Sequence, residues 1–313
     1  VPVQVRCPHC TTLSLIADEH LGVPITCGNC QRSFWVRSPL ADPSAAPANA
    51  VPAAAHFEVG GATSAGRVRT RNEDSYLAQL LAWSGQDRHG STALAVVADG
   101  LGGHEAGEEA SAMVIRAAGS VLLPLLAREA VGERLTAQVV ADAIEAVLQE
   151  ANRAIHARAK QEARHKGMGA TAAVVVARDG AARVGHVGDA RVYHQRGSQM
   201  TQLTKDQTLT ARMVELGQLS PKEAQAHPAR NDVYQAIGHH TTLKPAHCDV
   251  KLAPGDWLIV TSDGLHAHVE PEELRRAVLK AEPPAARLAG ALVDLANQKG
   301  GSDNCTVIAV RCC

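Results

Sequence analysis

Two sets of side chains in this chain have the types and spacing for metal chemistry. The first is acidic. Asp99, Asp189 and Asp263 each stand beside a glycine at the edge of an apolar run, and Asp303-Asn304 leads into a last such run. Glu73 and Asp74 form a further acidic pair, with Arg69 four residues before Glu73. One Asp-Gly is ordinary, because both residues dominate turns. Several in one domain are harder to assign to turns alone. Carboxylates brought together repel unless cations neutralise them. Hard oxygen donors with few His or Cys among them favour magnesium or manganese over zinc. Two such ions, about 3.5–4 Å apart, share a bridging water, lower its pKa and clamp a phosphoryl group. These residues suggest metal-assisted phosphoester hydrolysis. The alternative is a set of plain Asp-Gly turns, and residues 62–76 also read as a charged hairpin turn.

The second set is sulfur. Cys7-Pro-His-Cys10 and Cys27-Gly-Asn-Cys30 are separated by sixteen residues. Two Cys-x-x-Cys knuckles at this spacing match a closed four-thiolate zinc site. So short a segment has too little core to fold alone, so the ion supplies the folding energy. Gly28 suits a tight turn in the second knuckle, and Phe34-Trp35 are placed to cap the site. The competing readings are two disulfides or a thioredoxin-like redox pair. A disulfide reading is weakened by the lack of a secretory signal pattern. A closed site has no open position, so no catalysis is expected there.

The elements needed to position the acids are legible as well. Ala95-Val-Val-Ala98 reads as a buried strand that delivers Asp99 into a turn carrying Gly100, Gly102 and Gly103. Residues 105–126 and 135–163 carry apolar positions at helical spacing. Two strands joined at Arg178-Asp-Gly180 read as a hairpin. A second apolar strand ends at Asp263-Gly264 in an expected turn. A helical insert spans 208–227 and stops at Pro228. Residues 270–281 and 285–298 read as two more helices. Between the cysteines and these elements, residues 39–56 are rich in Ala and Pro and read as a semi-extended linker. The expected organisation is a module at 1–38, a linker at 39–56 and a main domain at 57–313.

Composition narrows the function classes. The 313 residues are 45% hydrophobic and 20% charged, as in a soluble globular protein. A net charge of −1 argues against bulk electrostatic binding to nucleic acid or a membrane surface. No run of 18 apolar residues occurs, so no membrane span is expected, and the protein is placed in the cytoplasm. Gly100-Leu-Gly-Gly-His104 is neither a dinucleotide nor a phosphate-binding loop, since no Gly-Lys-Ser/Thr follows. No Gly-x-Ser-x-Gly elbow appears.

Taken in order, Arg69-Thr-Arg-Asn-Glu-Asp74, Val97-Ala-Asp-Gly-Leu-Gly-Gly-His104, Gly167-Met-Gly-Ala-Thr171, Val187-Gly-Asp-Ala-Arg-Val-Tyr193, Leu203-Thr-Lys-Asp206, Thr261-Ser-Asp-Gly-Leu265 and Asp303-Asn-Cys-Thr306 resemble the bacterial type 2C protein serine/threonine phosphatases, the PPM family. The resemblance covers about residues 57–311. It implies an α+β fold, a β-sandwich of two antiparallel sheets flanked by helix pairs (α-β-β-α), here preceded by the zinc-ribbon-like module. It implies hydrolysis of phosphoserine and phosphothreonine in proteins by a metal-activated water, without a covalent intermediate. By position, Asp99 is expected to bridge two manganese or magnesium ions and the Gly100 carbonyl to bind one of them. Glu73 completes that ion's shell. Asp263 and Asp303 hold the other, and Asp189 is linked to a weaker third ion. Arg69 grips the substrate phosphate, and Asp74 supports a ligand. Residues 208–231 fall where the family has a flap.

The resemblance also has departures. Leu101 stands where some members carry a histidine proposed as general acid, and His104 reads as structural or as supporting a ligand. Gly-Asp-Ala-Arg and Asp206-Gln-Thr208 replace the commoner Gly-Asp-Ser-Arg and Asp-His-Ser, without loss of a ligand. The implied substrates are phosphoproteins made by a serine/threonine kinase, and the zinc ribbon is expected to recruit a protein partner. The rival reading is a non-catalytic relative in which the ribbon is the working part.

Overall fold

The structure is a computed structural model that describes residues 3–7, 9–16, 24–35, 56–84, 89–102 and 105–313. The chain divides into two compact units, Val1–Ala53 and Ala54–Cys313. The proline-rich stretch before His56, Gly103 and His104 lie outside the described residues, as do the side chains of Phe34 and Trp35.

The first unit holds two short hairpins built alike. Strand β1 (Val3–Arg6) pairs with β2 (Leu13–Ile16), and β3 (Pro24–Thr26) pairs with β4 (Ser33–Trp35), both antiparallel. Each turn carries one Cys-x-x-Cys. The Cys7 N–H donates to Thr12 O and the Thr11 N–H to Cys7 O; Cys27, Arg32 and Gln31 repeat this pattern in the second turn. The residue after each second cysteine takes the left-handed conformation, φ 62° at Thr11 and 57° at Gln31. Gly28 lies in the turn of the second knuckle, and the turn's positive φ falls on Gln31.

The second unit is a four-layer sandwich. One antiparallel sheet contains β5 (Phe57–Ser64), β10 (Arg191–Arg196), β11 (Gln199–Gln202), β13 (Trp257–Thr261) and β14 (Cys305–Cys312), in the order β11-β10-β13-β14-β5. The other contains β6 (Asp74–Ser84), β7 (His89–Leu101), β8 (Gly169–Arg178), β9 (Ala181–Val187) and β12 (Ala246–Lys251), in the order β12-β9-β8-β7-β6. Helices α1 (Glu105–Ala130) and α2 (Ala137–Gln161) cover the second sheet. Helices α5 (Asp263–His266), α6 (Pro271–Leu279) and α7 (Ala285–Gln298) lie against the first. Between β11 and β12 lie the short helices α3 (Leu209–Glu215) and α4 (Pro221–Ala226).

Covering both faces explains the unbroken apolar runs of the central strands. Successive side chains on a strand point to opposite faces. On β7, Leu94, Val96 and Ala98 meet the helices, while Ala93, Ala95 and Val97 meet the other sheet. On β14, Val307 and Ala309 face helix α7's side and Ile308 and Val310 face the sheet-to-sheet core. The small Ala and Val residues let the layers pack closely without aromatics.

Three expectations change in detail. The helix read as 105–126 continues through Pro124 to Ala130, and the proline itself is exposed. By length and composition α1 is apolar enough to cross a membrane, yet Ala110, Val114, Ala118, Leu122 and Leu126 are buried in the helix-to-sheet core. The Asp263-Gly264 pair is not a turn after a strand; it opens α5, with Ser262 as N-cap.

Candidate metal centre

One end of the sandwich collects the acids, because strands of both sheets end or begin there. Asp99 lies near the end of β7 and continues the Ala93, Ala95, Val97 series, so it faces the opposite sheet. Its neighbours in register are Asp74 on β6 and Thr171 on β8. The opposite sheet supplies Asp263, the first residue of α5 just past β13, and Asp303, two residues before β14. Asp189 sits in the turn between β9 and β10.

The electrostatics are those of acids held close with little water. Burial, reinforced by Asp74, Asp263, Asp189 and Asp303, pushes Asp99 well above the usual carboxylate range. Burial likewise lifts Asp189 to about 7, with Asp263 and Asp206 adding to it. Asp263 rises to about 6 through burial and the charge of Asp303, although hydrogen bonding with Asp99 opposes this. Asp74 reaches about 7, chiefly from burial. A cluster that resists losing its own protons is one that a cation would stabilise.

The loop before β6 is fixed to the start of β14 by one carboxamide. Asn304 Oδ1 accepts from the Glu73 N–H at 2.8 Å, and its Nδ2 donates to the carbonyls of Ala65 and Arg71 at 3.0 and 2.8 Å. Glu73 and Arg69 thus stay over the acids. Arg69 donates to Asp303 Oδ2 at 2.8 Å from an exposed position. Asp74 is tied inward: its Oδ2 accepts from Ser262 Oγ at 2.7 Å, and Ser262 Oγ accepts from the Thr306 N–H at 3.0 Å. Asp74 therefore braces the two sheets beneath the cluster.

The residues fit divalent cations. A Cβ on Gly107, in the first turn of α1, would lie 2.5 Å from Glu73 Oε2 and 3.0 Å from the Gly100 carbonyl oxygen. Two oxygen donors thus converge above a position kept bare. Two buried oxygens beside Asp99, Asp74 Oδ1 and Thr171 Oγ1, have no hydrogen-bond partner among the described residues. Such orphans are costly unless waters of an ion's shell meet them. The donors are nearly all oxygens, which suits magnesium or manganese.

The four cysteines form a separate cluster in the first unit. Their sulfurs all lie within 4.8 Å of one another, with Cys7 to Cys30 at 3.7 Å and Cys10 to Cys27 at 3.6 Å. All four are free thiols. Hydrogen bonding with Thr12 draws Cys10 down to about 5. The backbone near Arg32 pulls Cys30 down, but burial and the other three thiols outweigh it and push Cys30 to about 11. Four sulfurs competing for protons at this spacing fit one tetrahedral zinc.

Every acid singled out from the sequence is brought to the sandwich end, and the four cysteines are brought to each other. Sequence reasoning missed Thr171, Ser262 and the clamp made by Asn304. Ser262 and Asn304 each adjoin a singled-out aspartate, which is the signal that was available.

Comparison with known proteins points to one family. The family described as protein phosphatase 2C matches residues 63–299. Protein phosphatase PhpP of Streptococcus pneumoniae serotype 2 is 34% identical over 254 residues, which is 81% of this chain and 97% of that protein. The Streptococcus agalactiae serine/threonine phosphatase structure superposes with a TM-score of 0.70 at 30% identity, covering 82% of this chain and all of that one. The catalytic domain of the serine/threonine protein phosphatase PstP, solved with two manganese ions, gives 0.66 at 29% identity over 82% of this chain and 98% of that one.

Proposed function

We propose that this chain, which belongs to the protein phosphatase 2C family and is a metal-dependent protein serine/threonine phosphatase, works through the acids gathered at the end of its sandwich. The observation that carries the assignment is the convergence of Asp99, Asp189, Asp263 and Asp303 from both sheets, each raising or opposing the others' charge. Asp99 would be shared by two ions, with Glu73 and the Gly100 carbonyl holding one and Asp263 and Asp303 the other, and Asp189 would serve a weaker third. Bound there, manganese or magnesium would supply Lewis acidity and an activated water.

The chain's own groups then orient the reaction. Arg69 stands beside Asp303 with a guanidinium able to hold two phosphoryl oxygens at once. Asn304 fixes the Arg69–Glu73 loop, so the phosphate is gripped at a constant distance from the acids. Asp74 and Ser262 keep the two sheets, and hence the two halves of the ligand set, in register.

The first unit is proposed to be a structural zinc ribbon that recruits a protein partner, either a serine/threonine kinase or one of its products. Four free thiols suit the reducing cytoplasm, which is where we place the protein. The central test is manganese-dependent release of phosphate from a phosphothreonine peptide, with Asp263→Asn as control. Activity in the wild type and its loss in the variant are expected; an inactive wild type with metal present ends the assignment and favours the non-catalytic reading. For the ribbon, deletion of residues 1–38 should abolish partner capture while sparing peptide turnover. Unchanged capture would remove the recruiting role.

A further inference from the structure

A histidine outside every motif used so far stands on the rim of the acidic centre. Where β9 ends, the chain around Ile237 takes its place beside β8, pairing with Ala170 through two backbone hydrogen bonds of 3.0 and 2.8 Å. Two residues later comes His239. Its ring lies against Gly169: a Cβ there would sit 2.5 Å from His239 Nε2. Nε2–H donates to the Gly167 carbonyl at 3.3 Å.

The strand pattern says which face this is. Met168, Ala170 and Ala172 of the β8 region belong to the helix-facing core. Gly169 alternates with them and therefore shares a face with Thr171, the register partner of Asp99. Gly169 itself pairs with Leu101. Leu101 and Gly169 thus form the next row outward from Asp99 and Thr171; Gly238 stands opposite Gly169 in register, and the ring of His239, one residue on, reaches back against Gly169. Sheet spacings put the Gly169 Cα, against which the ring lies, roughly 8 Å from the Asp99 Cα.

The histidine is held there from below. Asn152 on α2 is buried, and its carboxamide brackets His239 on both sides. Its Oδ1 accepts from the Gly238 N–H at 2.7 Å and its Nδ2 donates to the His240 carbonyl at 2.9 Å. His156 Nδ1–H donates to the Gly238 carbonyl at 3.0 Å. The backbone is therefore rigid, while the imidazole is exposed and Nδ1 has no protein partner among the described residues. Buried polar groups are spent to fix one solvent-facing ring beside a cluster built for phosphate chemistry.

We propose that His239 binds the phosphoryl group of the substrate, donating Nδ1–H to a phosphate oxygen while Nε2–H stays on Gly167. The contact lies on the side of the site away from the Arg69 loop. The inference rests on the phosphatase reading of the centre.

The test uses full-length, metal-loaded protein and inorganic phosphate as the probe. His239→Ala should raise both the inhibition constant of phosphate and the KM for a phosphothreonine peptide about tenfold, with kcat changed less. Gly169→Ala should do the same, because the new methyl would sit 2.5 Å from Nε2 but 3.0 Å from the Ile237 carbonyl oxygen, so the ring gives way first. In the His239→Ala background it should add nothing, which a merely structural glycine would not show. In the magnesium form, adding phosphate should shift the His239 imidazole resonance, identified by its loss in His239→Gln. An unchanged phosphate inhibition constant in His239→Ala overturns the proposal, as does an equal effect of Gly169→Ala in both backgrounds. An inactive wild type overturns the phosphatase reading, and this inference with it; an active one with intact phosphate binding in the variant overturns this inference alone.

Discussion

The two clusters proposed to bind metal are assembled in opposite ways. The cysteine cluster takes its four donors from Cys7 to Cys30, two short turns with the same backbone pattern. The acidic cluster takes its donors from Glu73 to Asp303, on strands and loops of two sheets. In the first unit a zinc ion would have almost no core to lean on, so its binding and the folding of the hairpins would be one event. In the second, three apolar layers fold the sandwich, and the acids are carried into proximity against their own repulsion. A soft site can thus organise a small segment, whereas a hard site is imposed by a large fold that would be more stable without it.

The largest expected effect tests the first half of that contrast. Stripping zinc from the cysteine site with a strong chelator should remove a free energy on the order of 10–16 kcal/mol, and Cys27→Ser a part of it. The hairpin resonances of the first unit should collapse, while the thermal transition of Ala54–Cys313 stays in place. Survival of the hairpins without metal, or a joint loss of both units, breaks the comparison.

Next in size is the bridge. Asp99→Asn should lower turnover on the order of a thousandfold, comparable to losing a central electrostatic group in other active sites. The same substitution should raise the melting temperature of the metal-free protein, because it removes one charge from a repelling set. Asp189→Asn should cost clearly less activity. Equal losses at the two positions, or a metal-free Asp99→Asn protein that melts lower, would mean the acids are structural.

The third prediction concerns pH. Asp74 and Asp189 lie near 7 and Asp263 near 6 in the folded chain, against about 3.9 unfolded. Between those limits the folded state binds more protons than the unfolded one, so stability falls as pH rises. The metal-free second unit should melt at progressively higher temperature as the pH is lowered from about 8 to about 5. Saturating manganese should flatten that slope. A metal-free melting temperature that drops over this range would contradict the burial argument.

The smallest effect sharpens the account of the knuckles. Gly28 is not left-handed, and a Cβ on it would meet nothing within 4 Å. Gly28→Ala should change the stability of the zinc-loaded unit by no more than about 0.5 kcal/mol. A large loss in a thermal melt would show that the second turn needs its glycine after all.

Much of the centre was legible because its acids sit at the ends of apolar strands, where composition changes abruptly. What was not legible has physical reasons. Strand β12 alternates exposed His247, Asp249 and Lys251 with half-buried Cys248 and Val250, the period-two signal of a half-buried strand, but it is short and lies among loops, so the alternation did not stand out. Helix α1 runs through Pro124 because that ring faces solvent and the packed face stays continuous. Asn304 and Asn152 look like ordinary polar residues in a sequence. Their clamps exist only because loops distant along the chain end beside them.

By itself the amino-acid sequence determined the cysteine site, since ligands one short turn apart can only meet each other. It also determined that strand ends carry acids, and in which order. The tertiary structure alone decided that Asp74 turns inward to Ser262 while Asp99 faces the cluster, that Gly107 leaves room for Glu73 and the Gly100 carbonyl, and that His239 joins the rim. Those outcomes depend on register across two sheets and on the packing of helices over them, and a shift of one residue in any strand would send its side chains to the opposite face.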